Sequence, residues 1–169
     1  MGMWKNNEAR VIALGGVLAA LAVVIMSLGG LIPVATYVCP MMCAILLAVV
    51  VKNCGNRIAW AWYGAVSVLG LLLGPDKEAA AVFLFIGFYP ILKPKMDRLP
   101  VRWLWKALLF NLSILSMYWI LMNLMGMEQL AGDFAEFGRI GLTVMLIMGN
   151  VIFFMLDKLL GMRLAGAKR

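Results

Sequence analysis

The sequence predicts an all-α, polytopic membrane protein with six transmembrane helices and both termini in the cytoplasm. Three observations support this: composition, long charge-free runs, and one-sided placement of basic residues. The 169 residues are 64% apolar and 14% charged, whereas soluble domains average roughly 45–50% and about 25%. The polar stretches between the apolar runs are too short for an extramembrane catalytic domain. We therefore expect one six-helix transmembrane domain over residues 1–169.

The first two helices come from one charge-free run, Val11–Val51, about twice the ~20 residues that cross a bilayer. Gly29, Gly30 and Pro33 interrupt it, which predicts a tight turn between two helices. The first helix is too long for the apolar core of a cleaved signal peptide. Pro40 is expected to kink the second helix.

The remaining helices are bounded by Pro and charged residues. The predicted spans are about 11–31, 33–51, 58–74, 75–92, 103–125 and 139–160. The fourth opens at Gly74-Pro75 and closes at Pro90 and the basic segment 93–95. Trp4, Trp60, Trp62, Trp103 and Trp105 all fall near span ends and are expected in the aromatic belts at the membrane surface.

Basic residues fix the expected orientation, because Lys and Arg concentrate in cytoplasmic loops. With the N-terminus inside, the cytoplasmic basic residues are Lys5, Arg10, Lys52, Arg57, Lys93, Lys95, Arg98, Arg102, Lys106, Lys158, Arg163, Lys168 and Arg169. The outer set is Lys77 and Arg139. The net charge of +7 is thus explained by topology and anionic lipid headgroups, and no nucleic-acid partner is expected.

Two outer connections supply candidate solute-binding residues. The first carries Thr36 and Tyr37 in an uncharged segment. The second carries Asp76, Lys77 and Glu78, which the short apolar run behind them draws towards the membrane interface. Ionisable groups at that depth are candidates for function. The alternative is helix-start chemistry, because acids in a first turn suit the helix dipole.

The fifth helix adds Tyr118, Trp119 and Asn123 in its outer half, where the outer connections converge. The third outer connection, Gly126–Gly138, carries Glu128 and further acids among apolar residues. It is either an amphipathic segment lying at the membrane surface or a lid over an outward-facing pocket.

Helix one carries two overlapping pairs of small residues four apart, Gly15/Ala19 and Gly16/Ala20. Such pairs allow close helix contact, either within the chain or with another subunit.

Chemistry of other kinds has little support in the sequence. There is no His, and Cys39, Cys43 and Cys54 form no CxxC pair. Cys39 and Cys43 lie one helical turn apart, a spacing that suits either a soft metal or ordinary packing. We expect packing, and hence no metal and no cofactor. Because ionisable groups do not converge within the spans, we expect no enzymatic activity.

Six helices in this length, cytoplasmic termini, a Gly/Ala-rich first helix and short outer loops resemble the substrate-binding S components of energy-coupling factor (ECF) transporters. The segments IPVATYVCP, GPDKEAA and FYPILK are also similar to those of small uncharacterised bacterial membrane proteins described as S-component-like. The chain has no GxxxxGK[ST] phosphate loop to hydrolyse ATP itself.

The resemblance implies a micronutrient-uptake subunit in the bacterial cytoplasmic (inner) membrane that captures a small, vitamin-like solute from outside. It also implies partners, namely a transmembrane coupling subunit and two cytoplasmic ATPases. Gly15, Gly16, Ala19 and Ala20 are the implied docking positions for the coupling subunit. Asp76, Lys77 and Glu78 would be charged solute contacts, with Tyr37, Tyr118 and Trp119 as walls.

The main alternative is a membrane scaffold or assembly partner without a transport role, in which helix one recruits another subunit. A free-standing secondary transporter has less support, because no acids lie near the midplane and no repeat relates the two halves.

Overall fold

The described part of the chain folds as an all-helical bundle in this computed structural model. The structure describes residues 2–28, 35–123, 143, 146, 147 and 149–162. Helices account for 91% of these residues, and none of them is in a strand. The helices are α1 (Gly2–Leu28), α2 (Ala35–Cys54), α3 (Asn56–Leu73), α4 (Lys77–Ile86), α5 (Tyr89–Met96), α6 (Arg102–Asn123) and α7 (149–162).

Within the residues described above, three stretches of helix are long and apolar enough to cross a membrane: Ala9–Leu28, Thr36–Cys54 and Lys77–Met96. The third comprises α4 and α5 together. These three, with the composition, make the chain a membrane protein by length and hydropathy.

The first helix begins at Gly2 rather than near residue 11. The charge-free run shows where the apolar part of the helix begins, and the helix itself extends beyond it through charged residues. The predicted turn after it lies in residues 29–34, outside the described part of the chain. Pro40 lies inside α2, which continues through it to Cys54. Only Gly55 separates α2 from α3, and its φ of 83° is a conformation that glycine adopts without strain.

The predicted fourth span is two helices. α4 ends at Ile86, and α5 begins at Tyr89 after a turn at Gly87 and Phe88. A Cβ at Gly87 would collide with the Phe83 carbonyl oxygen, so only glycine fits this close approach. Pro90 stands in the first turn of α5, where its missing N–H is not needed. Pro90 therefore starts a helix here rather than ending one.

Three buried clusters hold the described part of the bundle together, and the smallest joins α4 to α6. The largest lies among α1 to α5 and includes Ala22, Cys43, Leu47, Trp62 and Phe83. Trp62 is 5% exposed and donates its indole N–H to the Gly15 carbonyl at 3.1 Å, so it joins α3 to α1. Its predicted place in an aromatic belt is wrong.

The second cluster attaches α7 to the rest. Phe153 of α7 stacks on Phe110 of α6 and meets Tyr89 of α5 edge to face, with both ring centroids at 4.7 Å. One turn away, Asp157 reaches the end of the bundle where α5 ends and α6 begins. We call that end the Asp157 end, and the opposite one, where α3 ends and α4 begins, the Asp76 end.

Candidate solute-binding site

Five of the eight predicted binding residues meet at the Asp76 end. We call Thr36, Tyr37, Asp76, Glu78 and Tyr118 the Tyr37 cluster. They come from the start of α2, the start of α4 and the last two turns of α6. The start of α4 lies about forty residues after the start of α2, and Tyr118 lies about forty residues later again. All three segments nevertheless converge on the carboxylates of Asp76 and Glu78.

Asp76 caps the N-terminus of α4. Its Oδ1 accepts the Ala79 N–H at 3.0 Å, and its Oδ2 accepts the Thr36 hydroxyl at 2.6 Å. Capping satisfies a backbone donor that the first turn would otherwise leave unpaired. The same carboxylate therefore starts α4 and binds it to the first turn of α2.

Glu78 lies between two phenols. Its Oε1 accepts the Tyr37 hydroxyl at 2.9 Å and the Tyr118 hydroxyl at 3.0 Å, and the two phenol oxygens are 3.2 Å apart. Tyr118 is buried, whereas Tyr37 is 39% exposed. The arrangement is a partly open polar triangle that joins α2, α4 and α6.

Lys77 points away from the cluster. Its Nζ donates to the carbonyl oxygens of Leu71 at 2.7 Å and Gly74 at 3.0 Å. A cation at this place neutralises the negative end of the α3 dipole. Helix-end chemistry therefore accounts for both Asp76 and Lys77, and Glu78 remains the charged group that faces the two tyrosines.

Trp119 and Asn123 do not join the cluster. Trp119 is 67% exposed on the outside of α6, and the Asn123 amide donates to the Trp119 carbonyl at 2.9 Å within the same helix. Both follow Tyr118 closely in sequence, but only Tyr118 faces the bundle interior. The predicted lid, Gly126–Gly138, lies outside the described residues.

The four predicted docking positions divide between two sides of α1. Gly15 is buried and Ala19 partly buried, and both face the bundle with Ala22 and Met26. Gly16 and Ala20 are exposed. The Gly15/Ala19 pair therefore serves packing within the chain, and the Gly16/Ala20 pair remains available to a partner.

A charge network with two buried lysines lies at the Asp157 end and was not predicted from the sequence. We call Lys93, Asp97, Lys106 and Asp157 the Lys93 ring. Lys93 contacts both aspartates, with 3.5 Å to Asp97 Oδ2, and Lys106 also contacts both, with 3.0 Å to Asp157 Oδ2. Positive and negative groups alternate around a closed ring, to which Tyr89 adds a hydrogen bond on Asp157.

The two lysines of the ring are each 4% exposed, so their charge is taken up by aspartates inside the bundle and not by the lipid headgroups expected from the sequence. A signal for the ring was present in the sequence. Tyr89, Lys93 and Asp97 repeat every four residues, which places them on one side of a helix. The pairing with Lys106 and Asp157 required the packing of three helices.

Metal chemistry finds no support in the described residues, where no three His, Cys, Asp or Glu side chains are grouped to hold an ion. Cys39 and Cys43 are buried, and the Cys43 thiol lies 3.5 Å from the Ala22 carbonyl oxygen. Both belong to the packed core among α1 to α4.

Comparison with known proteins adds no relative. No protein-family model matches the chain, and neither a curated protein nor a solved structure is significantly similar to it.

Proposed function

We propose that the chain is the substrate-capture subunit of a micronutrient uptake transporter in the bacterial inner membrane, binding a small polar solute at the Tyr37 cluster. The observation that carries the proposal is the convergence of Tyr37, Glu78 and Tyr118. Three helices bring a carboxylate and two phenols together at one end of an otherwise apolar bundle. Such groups bind small polar solutes through directed hydrogen bonds.

The proposed topology has six spans: α1, α2, α3, α4 with α5, α6 and α7. The described basic residues support its orientation even without the two ring lysines. Those that are exposed at the Asp157 end are Arg10, Lys52, Arg57, Lys95, Arg98, Arg102 and Lys158. Lys77 is the basic residue described at the Asp76 end. This bias supports a topology with the Asp157 end in the cytoplasm and the Tyr37 cluster outside.

The cluster is suited to exchange partners with a solute. Its carboxylates are held by hydroxyl and N–H donors, and the ion pairs among the described residues all lie in the Lys93 ring. A solute that brings a hydrogen-bond donor or a protonated nitrogen gains a charge-assisted bond to Glu78. Replacing a neutral phenol costs Glu78 less than replacing a paired cation.

The test is ligand binding by the purified full-length protein. We expect a screen of water-soluble vitamins to find a compound that raises the unfolding temperature of the protein. Titration calorimetry then measures the affinity for that compound. Glu78→Gln should weaken its binding about tenfold, because a charge-assisted hydrogen bond becomes a neutral one. Asn123→Ala is the matched control at the same end, since among the described residues the Asn123 amide bonds within its own helix.

Equal loss in both variants, or no loss in Glu78→Gln, would exclude the cluster as the binding site. Affinity purification from native membranes tests the partners separately. Recovery of a coupling subunit with two ATPases supports the transporter assignment. Recovery of some other membrane complex through the exposed Gly16/Ala20 face of α1 supports the scaffold alternative.

A further inference from the structure

Asp157 and Lys158 are neighbours of opposite charge that do not neutralise each other. Successive residues of an α-helix point about 100° apart. Asp157 points into the Lys93 ring, where Tyr89, Lys93 and Lys106 all donate to it. Lys158 is exposed and makes no ion pair within the described part of the chain. Its ammonium group is therefore open to an anionic partner from outside the described residues.

The exposed side of α7 that carries Lys158 borders a shallow, open groove of about 680 Å³. Its described lining residues are Ile147, Asn150, Val151, Phe154, Met155 and Lys158. Val151 and Met155 are 55% and 63% exposed, which leaves a large apolar surface uncovered. From Asn150 to Lys158 the groove follows the helix axis for about 12 Å.

Polarity along this groove is confined to one end. Asn150 exchanges two hydrogen bonds with Asn111 of α6, at 3.2 and 3.0 Å, so its amide is already paired. Lys158 supplies the positive charge at the Asp157 end, which the proposed topology places at the cytoplasmic membrane surface. An occupant must therefore be apolar over most of its length and anionic at one end.

We propose that the groove binds a phospholipid with an anionic headgroup, whose phosphate pairs with Lys158 and whose acyl chain covers Val151, Phe154 and Met155. A lipid lying parallel to α7 has its charge at the membrane surface and its chain towards the bilayer centre. This matches the order of Lys158 and the apolar residues along the helix. The inference rests on the membrane placement of α7 and is independent of solute binding at the Tyr37 cluster.

The test compares phosphatidylglycerol with phosphatidylcholine of the same acyl chains, bound to the delipidated full-length protein and counted by native mass spectrometry. We expect the first bound lipid to be held about fivefold more tightly when it is phosphatidylglycerol, the contribution of one lysine near an anionic surface. Lys158→Gln should abolish this preference, because it weakens phosphatidylglycerol binding more than phosphatidylcholine binding.

Two further variants make the result specific. Lys52→Gln removes an exposed lysine at the same end of the bundle but outside the groove, and should keep the preference. Val151→Trp fills the groove and should weaken the first site for both lipids. Retention of the preference in Lys158→Gln, or its equal loss in Lys52→Gln, would overturn the proposal. Circular dichroism confirms that each variant is folded, and unchanged solute binding separates this result from the proposed function.

Discussion

The two polar clusters of this bundle use similar residues in opposite ways. In the Lys93 ring, two lysines and two aspartates neutralise one another, and both lysines are buried. In the Tyr37 cluster, two carboxylates are held by neutral hydroxyls and a backbone N–H, and the cluster is open at Tyr37. About 18 Å of α6 separates Lys106 from Tyr118.

The difference separates polar groups that stabilise the fold from polar groups that can exchange their partner for a solute. A buried charge that loses its counter-ion is strongly destabilising, so the members of the Lys93 ring are not free to bind anything else. A carboxylate that gives up a phenol for a better donor loses little. We therefore expect substitutions in the ring to change stability, and substitutions of Glu78 to change binding.

The largest expected effect is at the centre of the ring. Asp157→Asn removes the charge that faces both Lys93 and Lys106, and we expect a loss of about 3–5 kcal/mol in the free energy of unfolding. Denaturant titration in detergent, with unfolding monitored by circular dichroism, measures this loss of stability. Glu78→Gln is the comparison variant and should lose less than Asp157→Asn. Similar losses in the two would end the distinction between the clusters.

A smaller effect is expected between the clusters, where Asn111 and Asn150 join α6 to α7. Asn111→Leu removes both bonds to Asn150, whose amide keeps its bond to the Leu146 carbonyl at 2.8 Å, and should cost about 1 kcal/mol, within the range for polar contacts between membrane helices. Because replacing both partners leaves no unpaired amide, the double variant with Asn150→Leu should recover most of the loss. The same titration checks both. A double variant less stable than Asn111→Leu would contradict this account.

The smallest effect is the one that best separates capping from binding at the Asp76 end. Lys77→Met removes the cation from the carbonyls of Leu71 and Gly74 and should cost about 0.5 kcal/mol of stability. Solute affinity should stay within about twofold, a change of less than half a kcal/mol. Titration calorimetry with the solute found for the wild type measures the affinity of this variant. A loss of affinity as large as that of Glu78→Gln would return Lys77 to the binding site.

The apolar pattern of the sequence predicts the helices well, and it predicts which end of the bundle collects the candidate site. Thr36, Tyr37, Asp76, Glu78 and Tyr118 are brought together because each stands near a helix end at the same end of the bundle. The span lengths alone determine which loops lie at the same end of the bundle. The grouping of these five residues at one end can therefore be predicted without knowledge of tertiary contacts.

The apolar pattern did not predict the direction in which individual side chains point. Tyr118 and Trp119 are adjacent, yet one faces Glu78 and the other faces outwards. The burial of Lys93 and Lys106 was not predicted, because sequence alone does not show that a distant Asp157 packs beside them. The break at Gly87 was missed because Pro90 marks either a helix start or a helix end.

The closed ring of charges also has a consequence for biogenesis. During synthesis Lys93, Asp97 and Lys106 emerge before Asp157, so the three ring members on the newly made α5–α6 hairpin carry one excess positive charge, in addition to those of Lys95, Arg98 and Arg102. Under the proposed topology this excess favours retention of the cytoplasmic end of the hairpin until α7 follows. Asp157 then neutralises the excess within the ring, so the ring closes when α7 packs against the hairpin.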